Sequence, residues 1–472
     1  MLNRREFLAA SLAAASTAQS RSELEPIVGP ELFGAKGDGI GDDTSAFDAL
    51  SARINAAGGG TIALAPGRTY RVGRQPGASS ADRQSPEPII ALRNLARPLI
   101  IQGNGACLKT SAGLYYGSFD RAGKTARRPM PNLDRSLVAS PYSAAISVSG
   151  CVAQITIFDV ELDGNLPGLA LGESWGGPGI QIPGTGLSLI DNGNEERIEN
   201  VLIHHQPLDG AIISGLPERS ARSCIDHLIC RHNGRQGLSL VGGRGYDFVD
   251  CEFAHTGRTR LATAPGAGVD LEAEEKVIRD VTFDRCKFLD NVGPGLVAES
   301  GDTADVRFND CMFVGTSSWS AWPRKPSLVF ERCSFAGAVV NAYASQIPGL
   351  ATRFVGCSFT DDPRHSPDGK LFFGGGHAGP VVALGASDNV LFHDCRFILR
   401  RLGVLPWSWR AIYQNCEMLQ VSKTPAMTKG KFIGRNVING PVDLYGSMIL
   451  GSVLLNGKAV PRGRVGSDFA PW

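Results

Sequence analysis

The chain has 472 residues with 47 basic and 46 acidic side chains, a formal net charge of +1. That balance excludes the basic excess of a nucleic-acid-binding protein, and 43% hydrophobic with 20% charged residues excludes bulk disorder. Glycine is the outlier at 58 residues, about 12% against a usual ~7%, while aromatics are only 7%; the mixture suits a turn-rich, all-β chain of small stacked units.

Residues 1–20 read as an export signal and are set aside from the fold. Asn3-Arg4-Arg5-Glu6-Phe7-Leu8 precedes a small apolar run from Ala9 to Ala15. The paired arginines followed by Phe-Leu resemble a twin-arginine signal. That resemblance implies transfer of the folded protein by the twin-arginine export machinery to the periplasm or beyond it. An ordinary secretory signal is the alternative. No later stretch reaches ~18 uninterrupted apolar residues, so no membrane span is expected.

Residues 21–150 read as an N-terminal cap and the first coils. Asp43-Thr44 can cap a helix over Ser45 to Ala57. Such a helix would cover the open end of a solenoid, as terminal repeats require. It lies between Phe33-Gly-Ala-Lys-Gly-Asp-Gly-Ile-Gly-Asp-Asp-Thr-Ser-Ala-Phe47 and Gly58-Gly-Gly-Thr-Ile-Ala-Leu-Ala-Pro-Gly-Arg-Thr-Tyr70. Together with Ile101-Gln-Gly-Asn-Gly-Ala-Cys107, this segment resembles the N-terminal part of the pectate-lyase superfamily. That superfamily includes polygalacturonase-like hydrolases, polysaccharide lyases, mannuronan epimerases and phage tailspike depolymerases. The resemblance implies a right-handed parallel β-helix and a polysaccharide substrate, and is specific for the fold far more than for the reaction. The polygalacturonase signatures Asn-Thr-Asp, Gly-Asp-Asp, Gly-His-Gly and Arg-Ile-Lys are absent as such. Gln206-Pro-Leu-Asp-Gly210 is faintly similar to the first and Gly375-Gly-His377 to the third, so no family catalytic residue is carried over.

Residues 151–420 hold a repeat. Cys251, Cys286, Cys311, Cys333, Cys357 and Cys395 each sit in Phe-x-x-Cys-x-Phe, and Tyr413-x-x-Cys416-x-Met418 is a seventh copy. Relaxed residue types add copies centred on Val160, Val201 and Leu228. Most spacings are 21 to 27 residues, with 41, 35 and 38 marking insertions, and a repeat of this length means a solenoid. The apolar residues at 0 and +2 fit one strand with alternate side chains inward. The residue at −3 has the wrong parity, so a corner must separate Phe283 from Cys286. A third strand begins at Gly210-Ala-Ile-Ile, Gly237-Leu-Ser-Leu, Gly268-Val-Asp-Leu and Gly295-Leu-Val-Ala. Three strands and three corners per coil predict an all-β, right-handed parallel β-helix of about ten or more coils. Asn165, Asn233 and Asn291 are expected to form a hydrogen-bonded ladder along one turn. The cysteines read as small buried hydrophobes in one column, and the parallel Cβ vectors of stacked coils disfavour disulfides. Residues 421–472 lack the repeat and read as a last coil or a C-terminal cover.

Because the interior is filled, chemistry is sought outside one sheet. In the Gly-Leu strands the outward residues are Ile212/Ser214, Ser239/Val241, Asp270/Glu272 and Val297/Glu299. Asp270, Glu272 and Glu299 therefore share one face on consecutive coils, and they are the candidate catalytic residues; solvated strand surface is the competing reading. Glu272 and Glu299 in register should approach the ~5–5.5 Å of a retaining carboxyl pair, and diagonal Asp270 and Glu299 the ~6.5–9.5 Å of an inverting pair. Asp209 lies at the edge of the same face, and Asp163 at a turn one insertion earlier. The insertion after Ala254 carries His255, Arg258 and Arg260 directly before the Asp270 strand. A basic loop over an acidic strand would suit an anionic glycan. Trp319 and Trp322 in later corner insertions either stack on sugar rings or pack the loops. No histidine pair has a compelling metal spacing, so no metal site is expected.

These residues lead to an exported carbohydrate-active enzyme that cleaves a polysaccharide by glycoside hydrolysis. It would need no cofactor. A lyase or uronate epimerase, the lyase using calcium, is the first alternative. A non-catalytic glycan-binding or surface-structural β-helix is the second.

Overall fold

In the computed structural model the repeat becomes coils of three short parallel strands. The structure describes residues 27–75, 87–120, 122–126, 138–173, 176–177, 180–374, 379–384, 388–421 and 426–466. The export segment and Gly375-Gly-His377 lie outside the described residues.

Each copy places its first aromatic at the end of one strand, turns, and enters the next with its cysteine. Phe283, for example, is the last residue but one of the strand Ala273–Asp284, and Cys286 precedes Lys287–Leu289. The corner between them is one residue in the left-handed region: Asp250, Arg285, Asp310, Arg332, Asp394 and Asn415 all have φ between 51° and 56°. Asp and Asn tolerate this conformation best. The two arginines among them are each ion-paired to the neighbouring corner, Arg285 to Asp250 and Arg332 to Asp310, in both cases at 2.8 to 2.9 Å.

Strict parallel register then stacks like on like. Phe248, Phe283, Phe308, Phe330, Phe354, Phe392, Tyr413 and Phe432 are successive register partners. Their neighbouring rings are stacked, with centroids 4.6 to 5.2 Å apart. A second file of phenylalanines runs from Phe253 to Phe397. The cysteine column is buried and its thiols are free. From Cys286 onward each Sγ donates to the carbonyl of the aromatic one coil back: Cys286 to Phe248 at 3.4 Å, Cys311 to Phe283 at 3.4 Å and Cys333 to Phe308 at 3.3 Å. A small side chain with a weak donor is what that slot holds.

The glycines that open the third strand have a steric cause. A Cβ at Gly210, Gly237 or Gly268 would stand 2.5 to 2.6 Å from the carbonyl oxygen of the next coil's glycine, and one at Gly295 would stand 2.5 Å from that of Ser320. The asparagine ladder is partial. Asn233 accepts from the Gln206 backbone N–H and Asn291 from that of Thr256. Asn165 instead takes a left-handed turn and donates to the Thr110 carbonyl.

The N-terminal helix spans Thr44–Ala57, one residue earlier than expected, and buries Phe47, Leu50 and Ile54. Asp43 precedes it, yet its carboxylate accepts from the backbone N–H groups of Lys36 and Gly37. Asp42 accepts from the Thr44 N–H at 3.0 Å instead. At the other end the coils continue past residue 421. Phe432 stacks on Tyr413, and Arg435–Asn439 pairs parallel with Ser452–Leu455. The last two strands, Lys458–Val460 and Gly463–Arg464, turn back antiparallel and end the ladder. Among the described residues no helix is long and apolar enough to cross a membrane.

Candidate active site

The third strands fix an outward column by register: Ser188, Ile212, Ser239, Asp270, Val297 and Trp322 are successive partners. Past Asp270 and Val297 the register slips by one residue, since Ala273 pairs with Gly301, and the slip falls beside Glu272 and Glu299. Continuing the register of Ala298 with Pro323 by one aligns Glu299 with Arg324. One coil earlier a bulge pairs Ser214 with Gly242 in place of Val241.

Asp270, Glu272 and Glu299 line one cavity of about 490 Å³, together with Gln181, Arg235, Gln236, Ala264, Pro265, Val297 and Ser300. Asp270 does not stand on an open face, as the strand pattern alone suggests. It is only 5% exposed, because Pro265, from the insertion before its strand, and Gln181 help wall the cavity. Gln236 Nε2 donates to its Oδ2 at 2.7 Å. Burial, followed by the Glu272 carboxylate, pushes the Asp270 carboxyl up to about 7, with Arg235 opposing. Glu299 is held by Arg324 at 2.7 Å. Among the described residues the Glu272 carboxylate meets the Ser300 hydroxyl alone, at 3.4 Å. Neighbouring carboxyls thus have different surroundings, which is how one fold obtains both an acid and a base.

The other expected site residues are placed differently. Asp209 is buried behind the wall in an ion pair with Arg235, whose Nε donates to Oδ1 at 2.7 Å, and it also accepts from Ser239 Oγ at 3.0 Å. Arg258 does not overhang the acidic strand. Its guanidinium is drawn to the Asp290 carboxylate at 2.8 Å and to Thr316 and Ser317 at 2.7 Å each. Arg260 donates to the backbone carbonyls of Pro167 and Leu169, bracing one insertion against another. His255 meets Asp290 at 3.0 Å and stacks on His232. Trp319 packs edge-on against Phe372 and against the core. Trp322 stays in the column of Asp270, two coils on, with its indole N–H buried and without a partner among the described residues.

Arg235, Gln236 and Arg324 went unnoticed in the sequence. Gln236 has a signal, since it precedes its glycine as Asp209 precedes Gly210, and the two are register partners. Arg324 follows a strand without the glycine signature. A smaller cavity of about 190 Å³ at Asp361, Arg364 and Arg400 is structural. There the Asp361 carboxylate accepts four backbone N–H groups from Arg400 to Gly403 and closes that loop.

Residues 144–335, which include this site, match the family model of the right handed beta helix region. The fold is a right-handed parallel β-helix. Among solved structures, the N-terminal fragment of gene product 12 from bacteriophage phi29 is 12% identical. It aligns over 92% of this chain and 73% of that chain, with a TM-score of 0.50. The A-module of mannuronan C-5 epimerase AlgE4 from Azotobacter vinelandii is 16% identical over 89% of this chain and 98% of that chain, with a TM-score of 0.46. Tailspike protein gp49 of Acinetobacter baumannii bacteriophage Fri1, a capsular polysaccharide depolymerase, is 13% identical over 90% and 64%, with a TM-score of 0.44. These likenesses concern the fold. No curated protein matches the chain.

Proposed function

We propose that the chain is an exported glycoside hydrolase that cleaves a polysaccharide in the cavity of Asp270, Glu272 and Glu299. The observation that carries the reading is Asp270, a buried carboxyl raised to about 7 beside two further carboxylates. A group so placed keeps its proton near neutrality and can deliver it to a leaving glycosidic oxygen. Gln236 occupies one of its oxygens as a donor, so the proton belongs on the other. Glu299, diagonal to it on the next coil, is assigned as the base that activates water, oriented by Arg324. Glu272 is assigned the electrostatic task of keeping Asp270 protonated. Trp322 would offer a ring face to a sugar further along the groove.

An anionic sugar would call for the lyase or epimerase reading, but Arg235 and Arg324 are already paired, with Asp209 and with Glu299. In that reading a base removes the proton next to the uronate carboxyl. Digestion of a panel of neutral and anionic polysaccharides separates the outcomes. The hydrolase releases reducing ends without the ultraviolet absorbance of an unsaturated product, and Glu299→Gln lowers that release at least ~100-fold. Absorbing products would assign a lyase, and retention of glycan without product a binding protein. Export by the twin-arginine route is the second part of the proposal. Arg4→Lys with Arg5→Lys should leave the protein in the cytoplasm, and undiminished export of that variant would remove it.

A further inference from the structure

Around the corner from the cavity, the strand Glu196–His204 ends in two consecutive histidines. His204 lies in an outward register file, Lys109–Asp163–His204–Arg231. His205 turns left-handed, at φ 54°. That turn brings its ring back onto its neighbour, so that the two Nδ1 atoms stand 2.7 Å apart. Asp163 Oδ1 is 3.6 Å from His204 Nδ1. The three ligand atoms of Asp163, His204 and His205 all lie within 4.8 Å of one another.

We propose that Asp163, His204 and His205 bind a divalent transition-metal ion of the zinc class, through Asp163 Oδ1 and the two imidazole Nδ1 atoms. Two nitrogens and one carboxylate oxygen, with a fourth position for water, are a donor set that suits zinc and not calcium.

The surroundings are those of a prepared ligand set. His204 Nε2 meets Glu161 Oε1 at 3.0 Å, which puts the proton on Nε2 and leaves Nδ1 as a lone pair facing inward. A carboxylate behind a ligating imidazole fixes its tautomer and raises its basicity. The His205 ring is clamped from the other side, stacked on His232 at 5.1 Å, which is stacked on His255 at 4.9 Å. Asp163 is buried. Its second oxygen is taken by Lys109 Nζ at 2.7 Å, and Oδ1 accepts from the Asn165 N–H at 2.8 Å with a lone pair to spare. Without metal, the short contact between the rings is one N–H···N hydrogen bond, donated by His205. On metal entry His205 releases that proton from Nδ1 and carries one at Nε2. Zinc–nitrogen bonds of ~2.0–2.1 Å at a tetrahedral angle put the two nitrogens ~3.3 Å apart, so the rings part by about half an ångström.

The test uses the mature protein stripped with chelator and titrated with Zn2+ and with Ca2+ in a calorimeter, alongside thermal melts. One equivalent of Zn2+ is expected to bind and to raise the melting temperature, and Ca2+ is expected to do neither. His205→Ala should abolish both effects. Glu161→Gln, a half-exposed change with no packing consequence, should weaken binding ~10–100-fold. His227→Ala, in the separate Asp226, His227 and Asp250 group, should leave it unchanged. Absence of stoichiometric Zn2+ uptake would overturn the proposal. So would uptake that survives both His205→Ala and Glu161→Gln, or that is lost in His227→Ala.

Discussion

Asp270→Asn is expected to lower turnover on a cognate glycan by about two to four orders of magnitude, the usual worth of a general acid, while raising stability above neutral pH. The sign follows from the proton balance. In the unfolded chain an aspartate gives up its proton near 3.8, whereas in the folded protein Asp270 keeps it to about 7. Folding therefore takes up a proton between those values. The stability this contributes is complete below about 4 and is lost as pH rises through about 7. The gap of about three pH units bounds the loss at about 4 kcal/mol. Asparagine is neutral throughout and keeps an oxygen for Gln236. Wild type and variant should melt alike near pH 4, and the variant should melt a few degrees higher at pH 8. The wild-type rate should fall above pH 7 as the acid is lost. An equal melting temperature at pH 8 would show that Asp270 ionises freely. Near-wild-type turnover would show that the reaction lies elsewhere.

The difference between what the sequence disclosed and what it hid is one of distance along the coil. The aromatic and cysteine files, the corner before each cysteine and the outward parity of Asp270, Glu272 and Glu299 all follow from a period shared by every coil. Parallel register turns that period directly into columns. Insertions do not obey the period. Pro265 and Gln181 enclose Asp270 from two separate excursions, so an aspartate read as surface is buried. Arg258 and Arg260 precede the acidic strand in the sequence, which suggests a loop lying over it. Their guanidiniums instead find the nearest acceptors, which are Asp290 and the backbone carbonyls of another insertion. His204, His205, His232 and His255 read from the sequence as surface or turn histidines near the third corner, and their convergence is hidden for a related reason. His204 and His205 are adjacent, and adjacent strand residues face opposite ways. Only the left-handed φ at His205, which His232 and His255 repeat at the following corners, turns both rings to one point.

Asp209 tests the distinction between a site residue and the brace behind it. Its carboxylate and the Arg235 guanidinium are both buried, joined by two hydrogen bonds, with Ser239 completing the set. Burying each charge alone would be costly, and the pair persists because each satisfies the other. Asp209→Ala leaves the Arg235 cation enclosed without a counter-charge and Ser239 without its acceptor. The expected loss is about 3–5 kcal/mol, read as a lower urea midpoint with an unchanged slope. Arg235→Met added to Asp209→Ala removes the stranded charge and fills its space with an apolar chain, so the double variant should be more stable than Asp209→Ala alone. That non-additivity is the signature of a direct pair. Arg235 also lines the cavity beside Asp270 and lowers its carboxyl. The double variant removes both this lowering and the smaller raising by Asp209, so the alkaline limb of the rate profile should move modestly upward. If Asp209→Ala instead keeps the wild-type midpoint and only raises KM, Asp209 touches the glycan directly and the ion pair contributes nothing to the fold.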